Sequence, residues 1–154
     1  KIFCFEPIKE NYDILLEKLD VKSIKNIIPF NLEVYDDSKK VKMYLNEDDA
    51  GHSVVLPSSK SIQADSISLK KIFDDNKIEQ CDFTKIDCEG SEYSIIDALP
   101  PEYLKRINKM ASEYHFSDSK PELANNLISK IDNTDFNVRK ESHYNDMEFL
   151  YTRR

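Results

Sequence analysis

Two carboxylates, Asp87 and Glu89, stand just before Gly90, one of only two glycines in the chain. The segment 81–93 around them is typical of a buried strand, a sharp turn and the start of a helix, with Phe83 among the apolar strand positions. A glycine at such a turn permits positive φ. Because ligands bind at the carboxyl edge of open α/β sheets, this spacing predicts that both carboxylates bind a ligand or handle a proton there.

Asp87 has a second interpretation, in which it only caps the helix that follows the turn. Ser91 is another capping candidate, and Glu92 places negative charge in the first turn of that helix, where the helix dipole favours it. The sequence leaves both roles of Asp87 open.

A glutamate and a histidine, Glu113 and His115, close a later segment that predicts a strand over 107–114. Alternation along a strand puts them on one face, at the same sheet edge as the two carboxylates. His52 lies in a polar loop, 46–53. The ordinary pKa of histidine suits proton transfer, so His52 is a further catalytic candidate, with a merely solvated loop histidine as the alternative.

Four segments resemble, in order, the FkbM family of S-adenosylmethionine-dependent methyltransferases. Residues 85–92 resemble its signature K-I-D-x-E-G-x-E, and residues 5–7 with Asn11 resemble F-E-P-x-x-x-N. Residues 64–69 are similar to V-D-T-I-T-L-D, and residues 112–115 to an E-x-H element. The resemblance implies a methyltransferase with S-adenosylmethionine as the methyl donor. It also implies a small-molecule or glycan acceptor, with O-methylation of a hydroxyl on a sugar, glycolipid or secondary metabolite.

The resemblance gives the candidate residues their roles. Asp87 is expected to orient the acceptor or the methionine end of the donor, and Glu113 or His115 to act as the base, with His52 as a further catalytic candidate. An acidic residue that ends the second strand of a Rossmann-like sheet accepts hydrogen bonds from ribose hydroxyls, which is the role expected of Glu6.

Further donor-binding candidates follow from the same resemblance. Asn31 and Leu32 lie near the end of the third predicted strand, in the region that borders the adenine ring. For Leu32 a position in the core is the alternative to a position in the pocket. Asp65 precedes a predicted helix and is expected either to cap it or to contact the ligand. Together with Glu6 and Asp87 they complete the predicted donor site.

A divalent metal is the alternative means of lowering the pKa of an acceptor hydroxyl. The oxygen and imidazole groups of Asp87, Glu89, Glu113 and His115 could bind one, although no spacing in the sequence is specific for a metal.

The elements predicted around these residues belong to one α/β domain of residues 1–154, a Rossmann-like class I methyltransferase sheet with flanking helices. No Gly-rich turn precedes the first strand, so we expect the domain to lack its first strand and that turn. Strand 41–45 is expected to form a hairpin with the third strand, 27–34, which Pro29 interrupts. The other predicted strands are 1–6, 61–67, 136–138 and 148–151, of which the last two are expected to form an antiparallel pair across the turn 142–146. The predicted helices are 10–19, 69–76, 92–99 and 121–131. Leu16 belongs to the apolar face of the first, and Ser68 is expected to cap the second, whose Leu69, Ile72 and Phe73 are expected to face the core.

Composition narrows the function classes. A net charge of −7 argues against a nucleic-acid-binding surface, and no apolar run is long enough to span a membrane. Three cysteines without metal-type spacing favour a reducing, cytoplasmic setting. Two other functions stay open: a non-catalytic interaction module of the same fold, and a nicotinamide-dependent enzyme, whose dinucleotide fingerprint is absent from these residues. The sequence does not predict an oligomeric state.

Overall fold

The computed structural model describes residues 1–37, 39–46, 51–142 and 146–154, which form a mixed α/β structure. Its elements in chain order are β1 (Ile2–Phe5), α1 (Lys9–Val21), β2 (Ile27–Phe30), β3 (Glu33–Tyr35), β4 (Lys40–Leu45), β5 (Lys60–Ser68), α2 (Leu69–Asp75), β6 (Thr84–Ile86), α3 (Glu92–Ala98), α4 (Pro101–Leu104), β7 (Lys109–His115), α5 (Pro121–Asp132), β8 (Asn137–Ser142) and β9 (Met147–Arg153).

The strands form three sets of hydrogen-bonded neighbours within the described residues. β1 and β2 run parallel, with α1 as the crossover between them. The strand order of the second set is β3-β5-β4, and that of the third is β6-β7-β9-β8. In the third set β6 and β7 are parallel, whereas β9 is antiparallel to both of its neighbours.

The core lies between β7 and the helices that cover it. Residues of α3, of β7 and of the segment before β7 have almost no exposed surface, namely Ile95, Ile96, Leu99, Leu104, Ile107, Met110 and Tyr114. Burying each such side chain contributes roughly 1.5–3 kcal/mol before the entropy cost of ordering it. This packing gives the carboxyl ends of β6 and β7 a fixed support.

Several predicted elements are confirmed within one or two residues. Helix α2 begins after Ser68, whose Oγ accepts a hydrogen bond from the backbone N–H of Lys71 at 3.2 Å, as expected for a capping serine. Its predicted core positions, Leu69, Ile72 and Phe73, are buried. The predicted antiparallel pair near the C-terminus is β8 and β9.

The predicted hairpin of strand 41–45 is wrong. β4 pairs antiparallel with β5, and β3 pairs parallel with the other edge of β5. β5 is nine residues long, so it offers paired positions to both neighbours. The predicted third strand is divided after Phe30 into β2 and β3, and Pro29 itself stays in β2, opposite Cys4.

Two apolar residues that were predicted to face the interior are exposed in the structure. Phe83 is 58% exposed because β6 begins only at the following residue. Helix α1 has no buried residue, and Leu16 on its predicted inner face is 40% exposed. Neither side chain therefore belongs to the core.

Parts of the predicted loops lie outside the described residues: Ser38, residues 47–50 of the loop 46–53, and residues 143–145 of the predicted turn 142–146. Among the helices that are described, none combines the length and the apolar character needed to cross a bilayer.

Candidate functional site

The carboxyl ends of β1 and β6 meet at a cleft of about 250 Å³. The start of α1, the strand β3 and the end of the loop before β5 complete its walls. Its lining combines acidic and apolar side chains: Phe5, Glu6, Pro7, Ile8, Asn11, Leu32, Glu33, Val34, Gly51, His52, Asp87, Cys88 and Glu89. Five of these residues, Glu6, Leu32, His52, Asp87 and Glu89, are predicted site residues.

Glu6 is held at the cleft by its own backbone turn. Its Oε1 accepts a hydrogen bond from the backbone N–H of Ile8 at 2.9 Å, which fixes the carboxylate where β1 ends and α1 begins. The side-chain amide of Asn31 donates to the carbonyls of Glu6 and Pro7, at 2.9 and 3.0 Å. Asn31 is not among the described residues that line the cleft, so it ties the ends of β1 and β2 together.

Asp87 faces the cleft from the end of β6 and does not cap α3. Its Oδ2 lies 2.5 Å from the Nζ of Lys85, and its side chain is 33% exposed. The carboxylate is therefore accessible to a ligand while Lys85 neutralises part of its charge. An exposed pair of this kind contributes little to stability.

The turn after β6 contains two residues with positive φ, Glu89 at 49° and Gly90 at 99°. A left-handed glutamate is uncommon and costs roughly 1–2 kcal/mol. The buried hydroxyl of Ser53 donates to the carbonyl of Glu89 at 2.6 Å and holds this conformation. Glu89 thereby directs its carboxylate into the cleft.

Glu92 is the second support of the turn, and its side chain is fully buried. Its Oε1 accepts the backbone N–H of Cys88 at 2.8 Å, and its Oε2 accepts that of Gly90 at 3.0 Å. The buried carboxylate therefore caps this turn. The sequence interpretation gave Ser91 or Asp87 a different task, the capping of α3, and the side chain of Ser91 makes no capping hydrogen bond there. Buried charges are tolerated in proteins when they are hydrogen-bonded in this way.

His115 lies between two of these carboxylates, at the end of β7. Its Nε2 is 3.2 Å from Oε2 of Glu89, and its Nδ1 is 3.4 Å from Oε1 of Glu92. The contact at Nδ1 is close enough for an ion pair but does not have the geometry of a hydrogen bond. Burial acts to lower the pKa of His115, but Glu92 and the charges of Glu89 and Glu113 outweigh it and raise the pKa above its ordinary value. The imidazole thus favours its protonated form.

Glu113 shares the strand face of His115, as predicted from alternation, because Ser112 and Tyr114 are buried on the opposite face. Neither Glu113 nor His115 is among the described residues that line the cleft. His115 reaches it only through Glu89.

Two more predicted residues have different surroundings. His52 lines the cleft, and its Nδ1 accepts a hydrogen bond from the backbone N–H of Asn46 at 3.0 Å. Asp65 is exposed on β5, where its Oδ1 lies 3.8 Å from the Nζ of Lys40, and it is not among the described lining residues. The structure therefore brings His52 to the site and leaves Asp65 outside it.

Glu33 is a cleft residue that the sequence interpretation missed. It is buried in β3, and burial together with the charges of Glu6 and Glu92 raises its pKa to about 8. The sequence carries only a weak sign of this burial, namely that Glu33 stands between the aliphatic residues Leu32 and Val34. A neutral carboxyl group therefore lies beside the charged carboxylate of Glu6 at neutral pH.

The suggested metal ligands do not converge. In the parts of the chain that the structure describes, no three histidine, cysteine, aspartate or glutamate side chains are grouped so as to hold a metal ion. Acid–base and positioning roles therefore suit these four residues better, namely Asp87, Glu89, Glu113 and His115.

Comparison with models of protein families shows that the model described as "Methyltransferase FkbM domain" matches residues 1–140. No curated protein and no solved structure matches the chain.

Proposed function

The chain belongs to the FkbM methyltransferase family, and from this premise we propose that it is an S-adenosylmethionine-dependent O-methyltransferase. The acceptor is a hydroxyl group of a sugar, a glycolipid or a secondary metabolite. The observation that carries the proposal is the meeting of Glu6, Asp87 and Glu89, from the ends of β1 and β6, in one cleft. A Rossmann-like class I sheet in one domain and a reducing, cytoplasmic setting, which suits the three free cysteines, belong to the same proposal.

The chemistry of the cleft fits the donor. S-adenosylmethionine supplies an activated methyl group on a cationic sulfonium, and its methionine end carries an ammonium group. The carboxylates of Asp87 and Glu89 complement these positive charges. Glu6, already fixed through Oε1, has a second carboxylate oxygen with which to accept ribose hydroxyls, and Leu32 offers an apolar surface for the adenine ring.

The protein's own task is to align the acceptor hydroxyl and remove its proton. Asp87 orients the acceptor from the accessible end of β6. His115 is better suited than Glu113 to take part in proton removal, because it touches Glu89, which lines the cleft. His52 also lines the cleft, from the loop before β5, and is proposed to contact the acceptor.

The proposal is tested by calorimetric titration of S-adenosylmethionine into the wild type and two variants. Glu6→Ala removes the carboxylate, and Glu6→Gln keeps an oxygen that can accept the N–H of Ile8 while removing the charge. A hydrogen bond to a charged group contributes about 1.5–3 kcal/mol, so we expect Glu6→Ala to weaken binding roughly tenfold or more. Glu6→Gln is expected to have an intermediate affinity.

Glu10→Ala, in the first turn of α1, is the matched control and is expected to leave the affinity unchanged. Thermal unfolding of each variant shows whether the fold is kept. A wild type that does not bind S-adenosylmethionine would favour the interaction module. A Glu6→Ala variant with a large loss of thermal stability and unchanged affinity would limit Glu6 to a structural role.

A further inference from the structure

Three side chains lie in a row from the cleft into the protein interior. Glu89 is 34% exposed and lines the cleft, His115 behind it is 14% exposed, and Glu92 behind the histidine is fully buried. The two ring nitrogens of His115 face different carboxylates, Nε2 facing Glu89 and Nδ1 facing Glu92. The geometry of this row resembles that of a catalytic triad, in which a buried group orients a base and the base contacts the reacting group.

The position of Glu92 is fixed independently of the histidine. Two backbone N–H groups of the turn after β6 hold its carboxylate, and the side chain has no exposed surface. A second contact holds the histidine backbone, because the hydroxyl of Tyr93 donates to the carbonyl of His115. A rigid carboxylate beside a rigid imidazole is an arrangement that fixes the orientation of the ring.

We propose that Glu92 is a positioning residue for His115 and that it holds the imidazole against Glu89, so that Glu89 and His115 act as one proton-accepting unit. This inference rests on the proposed function, because it assigns the base of that same cleft. It places the proton-accepting oxygen on Glu89 rather than on Glu113 or His115, the two residues expected from the resemblance to act as the base. It also gives Glu92 a task beyond capping the turn.

The proton balance of the step is simple. The acceptor hydroxyl gives its proton to Glu89 while its oxygen forms the bond to the methyl carbon. The carbon–sulfur bond breaks, and its electron pair stays on sulfur. The positive charge of the sulfonium and the negative charge of Glu89 are lost together, and the proton then leaves Glu89 to solvent. Before the step, the contact with His115 stabilises the ionised form of Glu89, which is the form that accepts a proton.

Four acidic groups face His115. Glu89 comes from the turn after β6, Glu92 from α3, Glu113 from the same strand, and Asp146 from the turn before β9. Since an opposite charge within about 4–6 Å favours the charged form, we expect the two contacting glutamates to act most strongly on the imidazole.

The test is an NMR titration of His115. The chain has only three histidines, so their ring signals are few, and a His115→Asn variant assigns the relevant one. We expect the pKa of His115 to lie above that of an ordinary histidine in the wild type. Glu92→Gln and Glu89→Gln are each expected to lower the pKa of His115 by about one pH unit, because each variant removes one neighbouring negative charge.

Asp97→Asn is the matched control, since it removes one charge from α3 at a side chain that is 92% exposed. It is expected to leave the pKa of His115 unchanged. Glu92→Asp, which keeps the charge, should restore most of the shift. If Glu92→Gln folds and leaves the pKa of His115 where the wild type has it, Glu92 only caps the turn and the proposal fails.

Glu89→Gln keeps the proposal testable if Glu92→Gln does not fold, because Glu89 is partly exposed. An unchanged pKa of His115 in Glu89→Gln overturns the proton-accepting pair. The binding of S-adenosylmethionine is measured separately on the same samples by calorimetry. Intact binding with an unshifted histidine contradicts this inference alone, whereas a shifted histidine without any binding contradicts the proposed function alone.

Discussion

At the scale of single residues, the cleft is defined by carboxylates whose surroundings give them different protonation. Burial and neighbouring negative charge raise the pKa of Glu33 to about 8, so it is mostly neutral at pH 7. Burial also raises the pKa of Glu89, and the positive charge of His115 opposes that effect. Different pKa values among neighbouring carboxyl groups are a common property of acid–base sites.

Asp87→Asn is expected to abolish methyl transfer and to leave the fold intact. The loss should be at least about 100-fold, the size usual for an acid–base or orienting carboxylate. The free energy of unfolding should change by less than about 1 kcal/mol, because the pair with Lys85 is exposed to water. Turnover is measured with an acceptor that the wild type methylates, and stability by denaturant unfolding.

Asp97→Asn, a fully comparable change at an exposed position of α3, serves as the control and should be active. Normal turnover in Asp87→Asn would remove Asp87 from the mechanism.

At the scale of elements, the turn 88–91 determines where the carboxylates lie. It is supported on one side by the hydroxyl of Ser53 and on the other by the carboxylate of Glu92. Ser53 also accepts the backbone N–H groups of Val55 and Leu56, at 3.0 and 3.1 Å. The turn after β6 and the segment before β5 therefore form one hydrogen-bonded unit at the cleft.

Gly90→Ala is expected to destabilise the protein by about 2 kcal/mol or more, because the residue has a φ of 99° and an added Cβ would lie 2.7 Å from Cε2 of Phe116. Gly51→Ala is the matched control: its φ is 68°, but the nearest atom to its added Cβ is 3.5 Å away. It should cost only about 1 kcal/mol, the backbone part of the effect. Urea unfolding measures both variants.

A second substitution separates the clash from the backbone strain. Phe116→Leu in the Gly90→Ala background should recover part of the lost stability. Equal losses in Gly90→Ala and Gly51→Ala would show that the approach of Phe116 does not matter.

Local chemistry made some elements predictable from sequence. Ser68 before an amphipathic segment predicts the start of α2, and alternation predicts that Glu113 and His115 share a face. The partner of β4 was not predictable, because strand pairing depends on which distant strand has a vacant edge. The burial of Glu33 and the inward position of Glu92 likewise depend on long-range packing.

The residues of the site, like the elements of the fold, were predicted in part. Local motifs identified Glu6, Asp87 and His52, all of which line the cleft. Asp65 belongs to a family-like segment too, yet the alternation of β5 turns it outward toward Lys40. A motif match alone therefore does not determine which face of a strand reaches the ligand.

At the scale of the whole molecule, the protein is acidic, with a net charge of −7. Several of its carboxyl groups line the cleft. A field of this sign attracts a cationic donor and weakens as salt is added. The same concentration of negative charge has a cost in stability, because Glu33 is buried where the negative charges of Glu6 and Glu92 act on it. The pH dependence of folding should report that cost.

Glu33 is expected to make the protein less stable as pH rises. Its pKa is about 8 in the folded state against an ordinary value of 4.5, so its contribution is complete below about pH 4.5 and is lost as pH rises through about 8. Glu33→Gln stays neutral and should remove this decline. Relative to the wild type, the variant should gain stability on the order of 4 kcal/mol between pH 5 and pH 8.5.

Denaturant unfolding at several pH values measures this effect, with Glu122→Gln in the first turn of α5 as the exposed control. Parallel pH profiles for the wild type and Glu33→Gln would contradict the burial of a neutral carboxyl group at this position.

The proposed activity requires that the cleft between β1 and β6 binds S-adenosylmethionine through Glu6. A crystal structure of the protein with S-adenosylhomocysteine, the product of methyl transfer, tests this binding mode. We expect both ribose hydroxyls within about 3 Å of the carboxylate of Glu6, the adenine ring against Leu32, and the sulfur on the side of Asp87. A ligand bound elsewhere, with Glu6 in contact only with the backbone N–H of Ile8, would contradict this binding mode.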